Sequence, residues 1–408
     1  MRPDFDVLIA GGGLNGPALG LALAGVGLSV AVIDARPAAA RAQENFDGRA
    51  YALNIGSKRL LEGIGVWPAL APHSTPILRI VTEDGRPGEA PSPLRLAFDA
   101  AEIEEGPMGF MVEDRHLYRA FLDAMERQAG LVHLPGAAVA EQAAGPAVAE
   151  VVLEGGRRLT GRVLAGCDGR ASGTAQRAGI GRTGWGYGQT ALVCAVTHTR
   201  PHGGTARQVF LPGGPLAVLP LQGERSAIVW SEADAAAAAI ADLDDAAFLA
   251  VLRDRLGGVL GEIALSGGRF TYPLGLSLAE RYAALRVALV GDAAHGVHPV
   301  AGQGLNLGLR DVGALAQVLT DAHRRGEDIG ALDVLKRYER WRRFDATLLA
   351  IGMDGVTRLF SNDNPLLRAA RDLGMGAVGQ MPGLRRAFIR QAAGLSGELP
   401  RLNAGLAL

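Results

Sequence analysis

Lysine is nearly missing from this chain of 408 residues: only Lys58 and Lys336 occur, and almost all positive charge is arginine. Few residues are therefore left for Schiff-base chemistry. Cysteine is as scarce. Cys167 and Cys194 are too few for a disulfide framework, which points to a reducing compartment, the cytoplasm. An excess of one charge is also lacking. Acids and bases cancel to −1 with no basic stripe, which argues against a nucleic-acid partner. Repeats, low-complexity linkers and metal-type or Ser-His-Asp clusters are absent. The one long apolar run, residues 7 to 33, starts behind Asp4 and Asp6 and is broken by glycines. It reads as strand, turn, helix and strand, not as a membrane span or a signal peptide.

What is present is glycine at strand ends. Arg286 to Val318 organises the chain. Val287 to Val290 reads as a buried strand ending at Gly291 and Asp292. Beyond Pro299, the Gly302-Gln303-Gly304 turn opens an apolar-periodic helix, with Leu305 and Asn306 in its first turn. An acid at a strand end and unpaired N–H groups at a helix start suit a diphosphate cofactor. His295 and His298 lie between the acid and the turn. There they suit either proton relay at neutral pH or anchoring of backbone.

A second such place is at the start of the chain. The strand Asp6–Ala10 leads into Gly11-Gly12-Gly13-Leu14-Asn15-Gly16, a G-x-G-x-x-G turn. Gly11 permits the tight turn, Gly13 lets backbone approach a pyrophosphate, and Gly16 lets the helix pack on the strand. The next strand, Ser29–Ile33, ends at Asp34, placed to hold ribose hydroxyls. A third strand, Arg158–Ala165, runs into Gly166-Cys167-Asp168-Gly169. Gly179 to Gly184 (GIGRTG) is formally another G-x-G-x-x-G. No strand precedes it and Thr190–Thr197 after it reads as a strand, so it is rejected as a nucleotide site.

Between these places, Arg49 precedes a helix from about Ile55 to Ile64. It reads as a surface arginine or as one facing a cofactor diphosphate. Ile77 to Phe98 reads as strands around Asp84-Gly85. A helix is expected from Asp114 to Ala129 with Asp114 as N-cap; Arg115, in its first turn, wants an anion nearby. From Gly188 to Leu274 short β-like runs point to an antiparallel sheet, interrupted by a helical region from Glu232 to Gly257. Leu332–Phe360 reads as a long helix with arginines on one face. The tail suits packing on the body, an oligomer contact or a membrane surface.

Together, GGGLNG with Asp34, the CDG at Cys167 to Gly169, and GDAAH…P…GQGLN at Gly291 to Asn306 resemble the single-component FAD-dependent aromatic hydroxylases, the p-hydroxybenzoate hydroxylase fold group. DGRAYAL, GPLAVLPL and HPVAGQGLNLGLRDV look most like the ubiquinone-biosynthesis hydroxylases. The fold implied is α/β: a Rossmann-type FAD-binding domain (1–75, 100–182, 276–330) interleaved with a mostly antiparallel β-sheet substrate domain (76–99, 183–275), then a C-terminal helical region (331–408). The resemblance assigns the FAD pyrophosphate to Gly11, Gly13 and Gly16, and the ribose to Asp34. It gives cofactor contacts to Arg49 and Arg115, and the ribityl–pyrophosphate side to Gly291 and Asp292. It places Gly302, Gly304, Leu305 and Asn306 beside the flavin ring, and gives Asp168 to FAD and the reductant groove. It implies ring hydroxylation of a prenylated quinone precursor by O2 through a flavin C4a-hydroperoxide, with NAD(P)H as reductant and no metal. A membrane-lying tail would place the protein at the inner membrane. Two positions depart from the family pattern: Asp34 stands where many members carry Glu, and Ser172 is followed by Gly173-Thr174-Ala175 where many carry an Arg. Tyr187, Phe210, Trp230 and Tyr272 are candidates for the ring pocket or for the core. The rivals are a soluble-phenol hydroxylase, a prenyl reductase, and a structural member of a quinone-making complex. A halogenase is disfavoured, because none of the four tryptophans lies in a W-x-W-x-I-P context.

Overall fold

The computed structural model describes residues 2–41, 44–86, 95–297, 302–360 and 381–408. Strand Phe5–Ala10 is the centre of the first sheet. Val7, Leu8 and Ile9 are buried on both of its faces, as a parallel strand covered on each side requires. Val30–Asp34 and Arg158–Gly166 flank it in parallel; Leu131–Pro135 and Val287–Leu289 lie outside them, again parallel. The chain first moves outward on one side, to Val30–Asp34 and Leu131–Pro135, then returns to the other with Arg158–Gly166. The direction of winding therefore reverses between Phe5–Ala10 and Arg158–Gly166, where ligands bind in such sheets. Helix Asn15–Ala24 makes the first crossover, with nine of its ten residues buried.

The second sheet has nine strands and is antiparallel apart from the pairing of Thr205–Leu211 with Arg79–Asp84. Its spine is Arg182–His198, paired with Arg225–Ala233 on one side and Phe270–Ala279 on the other. Trp230, Leu216, Val218, Phe248 and Leu252 form its own core beneath two helices. One edge is His295–Gly296, which pairs with Ser277 and Leu278 and so carries the Gly291 stretch into this sheet. A small third sheet joins Ala50–Asn54, Gly109–Glu113 and Ser74–Ile77.

Four local expectations are corrected or refined in their bounds. The helix Asp114–Arg127 has Glu113 at its N-cap, with no side-chain cap; the Asp114 carboxylate turns instead to Arg49, 3.2 Å away. The helical region expected from Glu232 is two helices, Asp234–Ala241 and Asp245–Leu256. The break between them is fixed by Asp244, which accepts a hydrogen bond from the Ala247 N–H at 2.8 Å. The strand expected at Thr190–Thr197 extends back to Arg182, because Phe270–Ala279 pairs along its whole length. In the helix Leu332–Phe360, Arg342 is fully buried, so its arginines do not share one face.

Candidate functional site

The registers Ala10↔Ile33, Ala10↔Gly166 and Gly166↔Leu289 set four strand ends side by side. Gly11, Asp34, Cys167-Asp168 and Val290-Gly291 follow those ends in one row. Three strand spacings of ~4.8 Å make this row about 14 Å wide, a length suited to an extended dinucleotide. Gly11 has φ +113°, and a Cβ there would stand 2.3 Å from the Cys167 carbonyl. A Cβ on Gly12 would stand 2.3 Å from Asp34 Oδ2, so the buried Asp34 carboxylate lies across the turn. Asp34 Oδ1 accepts the Arg36 N–H at 3.1 Å. A Cβ on Gly13 would meet nothing within 4 Å, and the same holds for Gly169 and Gly304; backbone is open to a ligand at these three places.

Asn15, which the motif leaves unspecified, ties the two glycine-rich stretches together. Its amide fills the space where side chains on Gly291 and Gly308 would stand, with Nδ2 2.2 and 2.4 Å from their ideal Cβ positions. Its Oδ1 is buried and makes no hydrogen bond among the described residues.

The Gly291–Ala293 turn is fastened from several directions. Asp311 Oδ2 accepts the Gly291 N–H at 3.0 Å and faces His295 Nε2 at 2.5 Å; Asp311 Oδ1 accepts Arg342 Nε at 2.8 Å. These three side chains are fully buried. Burial opposes the charged form of Asp311, but His295 and Arg342 outweigh it and hold the carboxyl below its usual range. His295, in the edge strand that follows the turn, thus packs against Asp311 beneath it. His298 lies outside the described residues. Arg182, from the rejected GIGRTG, reaches across from the second sheet: its guanidinium donates to the Ala293 carbonyl and, at 3.1 Å, to the Asp292 carbonyl. The Asp292 carboxylate is two-fifths exposed and, among the described residues, pairs only with Arg170 Nε, at 3.3 Å. It keeps acceptor capacity for a ligand.

The remaining expected residues are placed as follows. Asp168 turns back on its own loop, accepting from Ser172 Oγ at 2.5 Å and the Thr174 N–H at 2.9 Å, and so shapes the turn into helix Gly173–Arg177. Asn306 accepts from the Asn54 N–H and Ser57 Oγ, and donates to the carbonyls of Ala52 and Gly302. It pins the start of helix Gln303–Arg324 to strand Ala50–Asn54. Gly302 (φ +63°) precedes that helix, whose start carries no side-chain cap among the described residues, the kind of helix end that suits an anion. Leu305 is half-buried against the main core.

Arg49 and Arg115 line a polar pocket with Arg36, Asn45, Asp47 and Asp114. Arg49 is held by Asp47 Oδ2 at 2.7 Å as well as by Asp114. Arg115 is held by Glu113 at 2.8 Å, the anion its position requires. Burial and Asp114 together push the Tyr51 phenol well above its usual range. Of the aromatic candidates, Trp230 and Phe210 are core, Trp230 lying under Arg255 with its N–H on Glu232. Tyr187 is half-buried and Tyr272 exposed. Sequence reasoning missed Asn15, Asp311, Arg342, Arg170 and Arg182. Only Asp311 carried a signal, as an acid on the apolar stripe of the Gln303–Arg324 helix.

A profile of the FAD binding domain family matches residues 4–349. The chain is 45% identical to the ubiquinone hydroxylase UbiL of Rhodospirillum rubrum, over 99% of this chain and 93% of that one. It is 36% identical to the 3-demethoxyubiquinol 3-hydroxylase of Escherichia coli K12, over 96% and 98%. Among solved structures, p-nitrophenol 4-monooxygenase PnpA of Pseudomonas putida shares the fold, with a TM-score of 0.80 at 18% identity over 98% of this chain and all of that one. The site fits the group this family carries: open backbone at Gly13, Gly169 and Gly304, a buried acid at Asp34, an uncapped helix start, and an acid at Asp292 with acceptor capacity left. The chain belongs to the FAD-dependent aromatic-ring hydroxylases and is an FAD-binding monooxygenase.

Proposed function

We propose that this enzyme hydroxylates the aromatic ring of a polyprenylated ubiquinone precursor, using O2 and NAD(P)H, at the periphery of a membrane. Segments 1–75, 100–182 and 276–330 hold the cofactor, and segments 76–99 and 183–275 roof its reactive end. What supports this reading is Arg182, the residue at which the cofactor-holding segment passes into the second sheet: it opens the strand Arg182–His198, and its guanidinium holds the carbonyls of Asp292 and Ala293. The sheet that would shape the substrate pocket is thereby fixed to the turn that would hold the cofactor.

FAD, when bound, supplies the redox and oxygen chemistry. The protein's part is placement. Gly11, Gly13 and Gly16 shape the seat of the diphosphate, Asp34 offers its carboxylate to the adenosine ribose, and Asp292 offers its own to the ribityl side. The start of helix Gln303–Arg324, which has no side-chain cap, points its positive dipole end beside the ring. Fixed orientation of two reactants is worth roughly 7–11 kcal/mol of barrier. Exclusion of water by the covering sheet protects the oxidising equivalent from wasteful release. The work is thus one of positioning and shielding, in keeping with the lack of a hydrolase-like triad.

The test has two arms. Deleting the gene in its host should make an under-hydroxylated prenyl-phenol or quinol accumulate; an unchanged quinone profile would count against the pathway. In vitro, NAD(P)H oxidation by the FAD-loaded enzyme should be stimulated by a prenylated phenol and yield one hydroxylated product. Hydroxylation of short soluble phenols alone would favour the soluble-substrate reading, and oxidation without oxygen insertion a non-hydroxylating one.

A further inference from the structure

The helix Leu332–Phe360 buries one stripe, Val334, Leu335, Tyr338, Arg342 and Ala346, against the body. Its opposite side is unusual. Among the described residues from Lys336 to Ile351, the exposed positions are Lys336, Arg340, Arg343, Phe344, Leu348 and Ile351. Phe344, Leu348 and Ile351 are 71%, 61% and 60% exposed, and their spacing of four and three residues sets them in one stripe. A helix that is apolar on both faces belongs where both are covered. The helix Pro382–Ala392 repeats the pattern. Ile389 is buried inward, and Arg385 and Arg390 bind Glu102 and Glu105. Met381 and Leu384 are exposed beside Arg386, and Phe388 is half exposed with its ring near Phe98.

We infer that the outer stripe of Leu332–Phe360 docks on an anionic lipid bilayer, with Phe344, Leu348 and Ile351 entering the headgroup boundary and Lys336, Arg340 and Arg343 meeting lipid phosphates. Charge selects the occupant. From Lys336 to Ile351 the six exposed positions carry three cations and no acid, and none of the three cations has an ion-pair partner among the described residues; the exposed acid at the helix start, Asp333, is paired with Arg337. A second copy would bring the same patch against itself, setting cation against cation or burying cations under apolar residues. A bilayer offers apolar depth behind a layer of negative charge, in the order this surface presents. The inference rests on the prenylated-substrate reading for its purpose, since such a substrate resides in lipid, while its chemistry stands on the surface alone.

The experiment is co-sedimentation of the full-length, FAD-loaded enzyme with vesicles of phosphatidylcholine alone or phosphatidylcholine with phosphatidylglycerol. Binding is expected only to the second, and to weaken as salt rises. Phe344→Asp with Leu348→Asp should abolish it. Arg340→Glu with Arg343→Glu should weaken it by more than tenfold, at roughly fivefold per cation removed. Both variants should keep their flavin absorbance, because the changed positions face water. Failure of the parent enzyme to bind anionic vesicles overturns the inference. So does equal binding by the Phe344→Asp, Leu348→Asp variant, or a parent dimer in solution that this variant dissociates. Ring hydroxylation with no vesicle binding would leave the proposed reaction standing and this surface refuted; vesicle binding by an enzyme that hydroxylates nothing would do the reverse.

Discussion

Two charged clusters flank the row of strand ends, and they are built oppositely. Under the Gly291 turn, Asp311, His295 and Arg342 are fully buried and meet one another at 2.5 and 2.8 Å. At the other end, the Arg49 and Asp47 side chains are 34% and 25% exposed. A buried charge cannot lose its partner without being left bare in a medium that penalises it. A half-exposed pair exchanges partners with water at little cost. The first cluster is thus suited to fix backbone, and the second to release an arginine to an incoming phosphate. Arg342 is out of reach of any ligand; Arg49 is available to one.

The contrast is broken hardest at Asp311. Asp311→Ala leaves the Arg342 guanidinium buried without its counter-charge and His295 Nε2 without its partner, and frees the Gly291 N–H. We expect a loss of about 3–5 kcal/mol of stability in urea denaturation, the range for breaking a buried pair. A loss under about 1 kcal/mol would place this cluster in the same class as the surface pairs.

Cofactor affinity comes next. Gly12→Ala would put a Cβ against the Asp34 carboxylate, so it should mimic Asp34→Ala although the acid remains. A hydrogen bond to a charged group is worth about 1.5–3 kcal/mol, so both variants should bind FAD roughly ten- to a hundredfold more weakly in fluorescence titrations of apoprotein. Wild-type affinity in Gly12→Ala would show that Asp34 is not held by the turn. Asp292→Ala should give folded but flavin-poor protein, since among the described residues that carboxylate pairs only with the exposed Arg170. Full flavin occupancy with an unchanged Tm would refute a cofactor role for Asp292.

How far the sequence exposes these differences follows from how each is encoded. The first sheet was legible because continuous apolar runs bounded by glycine leave little choice of structure, and the acids mark the strand ends. The role of Gly12 was not, because a residue between two motif glycines shows its constraint only once Asp34 is folded across it. Asn15 and Arg342 were hidden for a related reason. An amide between two glycines, or an arginine on a helix rich in arginine, carries no local sign of burial. The partner that decides the matter lies 31 residues away for Arg342, at Asp311. Asp168 and Asn306 show the converse. Their places in the motifs were readable, but not that their side chains are engaged by neighbouring loops while open backbone is left for the ligand.

Titration sharpens the comparison with a smaller effect. The folded-state pKa of Asp311 lies below the ordinary 3.8, held there by His295 and Arg342 against burial. A depressed carboxyl contributes stability that is complete above its unfolded pKa and is lost as pH falls through the folded one. The wild-type protein should therefore lose stability as pH drops below about 4, the ordinary range for Asp. Asp311→Asn, less stable at neutral pH, should show a shallower acid limb. Parallel limbs in the two proteins would mean that Asp311 is not ionised in the fold.

The smallest stability change belongs to Arg49. Arg49 and Asp47 are partly solvated, and the buried Asp114 keeps the Tyr51 hydroxyl as a partner, so Arg49→Ala should cost about 1 kcal/mol, well below Asp311→Ala. If the arginine is instead held for a cofactor phosphate, the effect should appear in FAD affinity, and should shrink as salt screens the charge. Arg49→Lys separates charge from shape: it keeps the cation and loses the flat fork that holds Asp47 through both Nε and Nη2. Recovery of affinity in Arg49→Lys would mean that the site needs only a positive charge. Failure to recover, with stability unchanged, would mean that the carboxylates preset the guanidinium plane for the phosphate. That outcome would make Asp47 and Asp114 part of the binding site, although both carry the same sign as the ligand.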